Sequence, residues 1–218
     1  MNYFKAMEVQ DKPPKQRTEV RQVALVEAAL LLAAQRSPAD ITTADLARAV
    51  GISQGAVFKH FASKEAIWMA VLDWVTESLM ARLQRAAEDA ESAALPALRA
   101  IFLAHVDFVM SYPGVPRLVF QELQRPGETA LKNLVQHLMQ RYRELLLAVL
   151  RQAQTQQVLR PDLDLQAAAV LFIGAIQGLV IQAMISNTVE SMAARAPAVF
   201  SILQQGLQSP STDLQGTP

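Results

Sequence analysis

Apolar residues recur along the chain at steps of three and four, the period of helices that bury one face. In VALVEAALLLAA, Val23, Val26, Ala29, Leu30 and Ala33 share a stripe, with Leu25 and Leu32 beside them. Pro13 and Pro14 sit in a polar arm, and Pro38, Pro96, Pro113, Pro116, Pro126 and Pro161 fall between helical patterns. Proline has no N–H for a helix interior, so these positions mark boundaries. The pattern predicts helices over 18–35, 42–50, 53–60, 63–88, 94–111, 115–124, 127–156, 164–186 and 190–207, with no strand alternation and no internal repeat. The expected fold is all-α. A polar arm (1–17) leads into a small head (18–78) and a larger helical body (79–208), and a tail rich in polar residues, proline and glycine (209–218) is expected to be disordered.

One helix is cut short. In ITTADLARAVGISQGAVFKHF, Thr42 and Asp45 have capping-box spacing. Leu46, Ala47 and Val50 form an inner face, and Gly51 can turn left-handed at low cost. Ser53 then caps a second, shorter helix with Ala56 and Val57 inside, Gln54 and Lys59 outside, and His60 at the boundary of the two faces. Small Ala47, turning Gly51 and core Val57 are the ingredients of a helix-turn-helix. A helix of about eight residues is roughly 12 Å long, about the width of the B-DNA major groove. Its start, Ser53, Gln54 and Gly55, would meet base edges, with Gln54 able to pair bidentate with adenine. Lys59 and His60 would lie near phosphates. Lys64, just after the cap Ser63, would meet another at the next helix start.

Composition and charge sharpen this. Of 218 residues, 8 are Gly and none is Cys, which favours helix and removes thiolate chemistry, disulfides and cysteine metal sites. The net charge is zero, yet residues 1–64 carry nine Lys/Arg against six Asp/Glu and the remainder eleven against fourteen. The positive excess lies with the short helix. Arg17 and Arg21 sit at the start of the first helix, where the dipole disfavours them. They are either a solvated pair or cations placed to reach an anion. The N-terminus holds no apolar signal segment, so the chain is expected to be soluble and cytoplasmic.

The run from Val26 to Leu72, with EAALLLAA, ITTADLARAVGISQGAVFKHFASKEAI and WMAVL, resembles the DNA-binding domain of the tetracycline-repressor family of transcriptional regulators, which are mostly repressors. The resemblance implies that Thr42, Thr43 and Lys64 contact phosphate and that Ser53, Gln54, Gly55 and Ala56 read bases. The family usually has a phosphate-binding Tyr where this chain has Phe58. Either Phe58 packs on sugar or Lys59 carries more of the contact.

The body resembles the family only in outline: helical, ligand-binding and paired through its last two long helices. Its residues argue for pairing independently. AAAVLFIGAIQGLVIQAMI, residues 167–185, is apolar nearly all round. A membrane span is the rival reading, but Gln177 and Gln182 interrupt the run and no Lys/Arg cluster flanks it. Burial on two sides, one against a second subunit, explains it better. Gly174 and Gly178 allow close helix approach, with Ile181 beside them and Val199, Ile202 and Leu203 on the last helix. A C2 homodimer would read an inverted-repeat operator in double-stranded DNA.

A ligand pocket is expected around Phe102, His105, Phe108, Val109 and Tyr112, with Phe120, Leu123, His137, Arg141, Phe172 and Ile176 completing it. Apolar walls with a few polar anchors suit a hydrophobic or amphipathic effector. The same stripe is also what an ordinary core presents. A DNA-binding protein that acts architecturally or through a protein partner, without effector, is the alternative. Enzyme activity is not expected, nor any cofactor or metal. The three His are far apart in sequence, and HExxH, GxSxG and phosphate-loop motifs are absent.

Overall fold

The computed structural model describes residues 14–90 and 93–208, with the side chains from residue 18 onward. Its helices are α1 (Pro14–Gln35), α2 (Thr43–Val50), α3 (Gln54–Val57), α4 (Lys64–Glu88), α5 (Ala94–Ser111), α6 (Gly114–Gln124), α7 (Ala130–Thr155), α8 (Leu165–Ser186) and α9 (Ser191–Leu207). No strand occurs among the described residues, in keeping with the all-α expectation. A 3-10 turn, Pro38–Asp40, was not legible in the sequence; Pro38 opens it and Ser37 caps it. The first helix starts four residues earlier than its pattern suggested, because Pro14 suits a first helical position, where no N–H is needed. Residues 1–13 of the arm and the tail 209–218 lie outside the described residues.

The head is α1 to α3 packed on the first half of α4. Leu25, Ala29, Ile41, Leu46, Val57, Ile67 and Val71 form its core and are almost fully buried. α4 runs without a break from head into body, so the domain boundary expected at 78 falls inside a helix. In the body α5 is enclosed by α4, α7, α8 and α9. Phe102, Phe172 and Phe200 meet there with ring centroids 5.4–6.5 Å apart. α5 and α8 have the length and apolar character of a membrane span, but each buries a face in this core.

α6 joins the two parts. Gly114 lies against α1, where an added Cβ would sit 2.7 Å from Leu30 O and 2.8 Å from Ala33 Cβ. Further along, Gln121 Oε1 accepts from Ala39 N at 3.1 Å and from Ser37 Oγ at 3.3 Å, both at the 3-10 turn.

Candidate nucleic-acid interface and body cavity

Two turns of chain fix the exposed edge of the head. Thr42 caps α2 by accepting from Asp45 N at 3.1 Å, while Thr42 N and Oγ1 donate to Asp45 Oδ2 at 2.9 and 2.7 Å. These bonds, with Arg36 at 3.0 Å, hold the Asp45 carboxyl well below the usual carboxylate range. Gly51 ends α2 at φ 71°, a conformation glycine adopts without Cβ strain. Ile52 N closes the corner on Ala47 O at 3.0 Å. Ser53 Oγ accepts from Ala56 N at 3.2 Å and starts α3.

α3 is shorter than expected. Regular helix covers only Gln54–Val57, and a turn continues to Phe61 through bonds from Lys59, His60 and Phe61 to Ala56 and Val57 carbonyls. The buried Val57 and Phe61 pull this segment onto the core before a second helical turn forms. Ser53, Gln54, Gly55, Phe58 and Lys59 are exposed, Ala56 and His60 are half-buried, and α1 holds the segment through Gln22 Nε2 to His60 O at 3.0 Å. Gly55 has no heavy atom within 4 Å of an added Cβ. Arg21 is exposed on α1.

Three expected contacts look different in the structure. Thr42 has both of its donors committed to Asp45, so its role is capping and no donor remains for a phosphate. Lys64 Nζ donates to Ala39 O at 2.9 Å, which spends one of its three hydrogens inside the head. Thr43 Oγ1 accepts from Gln54 Nε2 at 2.9 Å, a link between the two helices that spacing did not announce.

The body residues expected to share a pocket separate into groups. His105, Phe108, Val109, Phe120 and Ile176 do line one cavity, with Val75, Leu138, Gln177 and Val180, but its volume is only ≈ 60 Å³. A cleft of ≈ 220 Å³ adjoins it, sharing Val109, Pro116 and Val180. Phe102 and Phe172 belong instead to the aromatic core. Tyr112 stacks edge-on against Trp74 at 4.9 Å in a groove beside α1. Leu123 and His137 are exposed, and Arg141 pairs with Glu77 on the surface. The cavity takes Phe120 from α6 and Leu138 and Met139 from α7, while Leu123, His137 and Arg141 face away from it. The polar anchor that sequence missed is Tyr142, fully buried and 3.1 Å from His105 Nδ1. Burial pushes the His105 imidazole down to about 4 and raises the Tyr142 phenol. Both are neutral at pH 7 and are satisfied by each other.

α8 has an uncovered apolar face. Val170, Leu171, Ile181, Met184 and Ile185 are 40–70% exposed, and Ile202 of α9 is 71% exposed. Gly174 and Gly178 lie on the same face with nothing within 4 Å of an added Cβ. Val199 is half-buried. Leu203, expected at the same interface, points into its own chain's core at 6% exposure, because the last helix turns that side to α5.

Comparison with known proteins places both halves. Residues 25–71 match the model for bacterial regulatory proteins of the tetR family, and residues 124–204 match the C-terminal domain of BetI-type transcriptional repressors. A nucleoid occlusion factor, SlmA, from Marinomonas sp. (strain MWYL1) is 30% identical over 169 residues, 77% of this chain and 82% of the relative. SlmA from Vibrio cholerae is 27% identical, over 77% and 83%. Among solved structures, the fatty acid degradation regulator FadR from Bacillus halodurans superposes with a TM-score of 0.77 at 16% identity, over 92% of this chain and all of the other. FadR from Bacillus subtilis, in complex with stearoyl-CoA, gives 0.70 at 17% identity, over 85% and 99%.

Proposed function

The chain belongs to the tetR family of bacterial regulatory proteins, DNA-binding regulators of transcription, and on that premise we propose that it is a cytoplasmic repressor. It binds an inverted-repeat operator as a homodimer and leaves it when a small hydrophobic or amphipathic effector enters the body. The reading edge is Thr43, Ser53 to Ala56, Phe58, Lys59, His60 and Lys64, with Arg21 reaching a flanking phosphate. The uncovered face of α8 and α9 pairs the two copies.

One observation carries the effector half of this reading. α6 lines the cavity with Pro116 and Phe120 and also touches the head through Gly114 and Gln121. A ligand that displaces α6 changes the spacing of the two reading edges, and it shifts the equilibrium only as far as it prefers that state. At ≈ 60 Å³ the cavity is far below the roughly 300–1,000 Å³ of drug-sized sites, so effector entry requires it to merge with the adjoining cleft. The test begins with DNA fragments tiled around the protein's own gene. The bound fragment is then challenged with fatty acids, acyl thioesters and aromatic compounds. A compound that both releases DNA and raises the melting temperature supports the reading; none doing either would remove the effector.

The names of the relatives favour a second reading. Both SlmA proteins are called nucleoid occlusion factors, and the nearly filled body suits a DNA-binding protein controlled by a protein partner. Chromatin immunoprecipitation separates the two. One or a few promoter sites indicate a repressor, and many sites dispersed over the chromosome indicate the partnered protein.

A further inference from the structure

Two residues with separate tasks at the DNA edge touch each other. Thr43 opens α2 and Gln54 opens α3, and Gln54 Nε2 donates to Thr43 Oγ1 at 2.9 Å. Thr42 cannot substitute, since both of its donors are held by Asp45. We propose that Thr43 is a positioning residue for sequence specificity: by giving its one hydroxyl hydrogen to a DNA phosphate, it fixes the orientation of the Gln54 amide and lets Gln54 tell adenine from guanine. The inference rests on the DNA-reading edge described above.

A hydroxyl has one hydrogen and two acceptor lone pairs, while an amide presents a donor end and an acceptor end. Away from DNA, Thr43 can accept from Gln54 Nε2 or, with the amide reversed, donate to Oε1; the two arrangements are of similar energy. A phosphate oxygen accepts only. Once it takes the Thr43 hydrogen, the hydroxyl can only accept, and Gln54 must turn Nε2 toward it. Oε1 and the second N–H are then left for the groove. Adenine offers a matching pair there, the N6 donor and the N7 acceptor. Guanine offers two acceptors, O6 and N7, and would set O6 against the lone pairs of Oε1. Without Thr43 the exposed Gln54 side chain is free to turn and to offer its two N–H groups to guanine. Backbone contact and base reading are therefore joined through one hydroxyl.

The test uses the full-length protein. Enrichment from a random duplex library defines the bound sequence, and Gln54→Ala identifies the base pair whose preference depends on Gln54. Affinities for adenine and guanine at that position are then compared in wild type, Thr43→Val and Thr43→Ser. Valine keeps the shape of threonine, and the Thr42 cap is untouched. Wild type should prefer adenine by about 5- to 150-fold, the range of a bidentate contact. Thr43→Val should reduce that ratio several-fold, and Thr43→Ser should restore it. A merely structural Thr43 would weaken both duplexes alike and lower the melting temperature, leaving the ratio intact. That outcome overturns the tether while base reading by Gln54 stands. If no sequence is enriched, or Gln54→Ala changes no base preference, the reading edge itself fails and the tether with it.

Discussion

Gly114→Ala tests the junction on which the proposed coupling between body and head depends. The added methyl carbon would lie 2.8 Å from both the Ala33 carbonyl carbon and its Cβ, and 2.7 Å from Leu30 O. Carbon pairs at ease sit about 3.5–4.0 Å apart, so α1 and α6 must separate by about 0.7–1.2 Å there. Two of the three opposing atoms are α1 backbone and cannot swing aside as a side-chain end would. Overpacking of this kind costs about 1–3 kcal/mol. Gly114 is the first residue of α6, where the higher interior helix propensity of Ala returns little, leaving a net loss of about 1–3 kcal/mol. For a protein of this size that lowers the melting temperature by about 2–12 °C. A thermal melt checks the stability, and an operator isotherm on the same sample checks whether the displaced α1 carries the reading edge with it. A variant that melts at or above wild type would show that the junction is loose, and the account of α6 as the link would be abandoned.

Other consequences follow from the same geometry. With nothing near their missing side chains within the chain, Gly174→Ala and Gly178→Ala should stabilise an isolated α8 by up to about 1 kcal/mol each but hold paired helices apart. Sedimentation at micromolar concentration should show weaker dimers; an unchanged dimer with a higher melting temperature would place the interface elsewhere. His105 has its folded pKa depressed to about 4 from 6.5. Between those values the unfolded chain binds more protons, so stability falls as pH drops through this window. The loss reaches about 2 kcal/mol at pH 5, and urea melts across pH 4–7 should show the dependence shrink in His105→Gln. Thr42→Ala removes the capping box and should cost about 0.5–2 kcal/mol. Thr42→Ser should recover most of that in the same melts, and a silent Thr42→Ala would mean that the α2 cap contributes nothing.

The sequence by itself determined the helices and the head. Capping boxes, a left-handed glycine and the three-and-four period act between residues close in the chain, so Thr42, Asp45, Gly51 and Ser53 announce their structure locally. They do so wherever the rest of the protein lies. The apolar run of α8 likewise declares a second apolar face, which the chain itself leaves uncovered. The tertiary structure alone decided which sides meet. Periodicity gives a residue's phase on its helix but not which side of that helix faces the cavity. His105 and Phe108 therefore reach a cavity while Leu123 and His137 remain at the surface, and Leu203 turns inward while Ile202 stays bare. Tyr142 became a partner of His105 only when α7 packed against α5, 37 residues later in the chain. The bond between Thr43 and Gln54 has the same origin. Helical spacing cannot predict a contact between side chains on two helices, because the angle at Gly51 sets the distance between them.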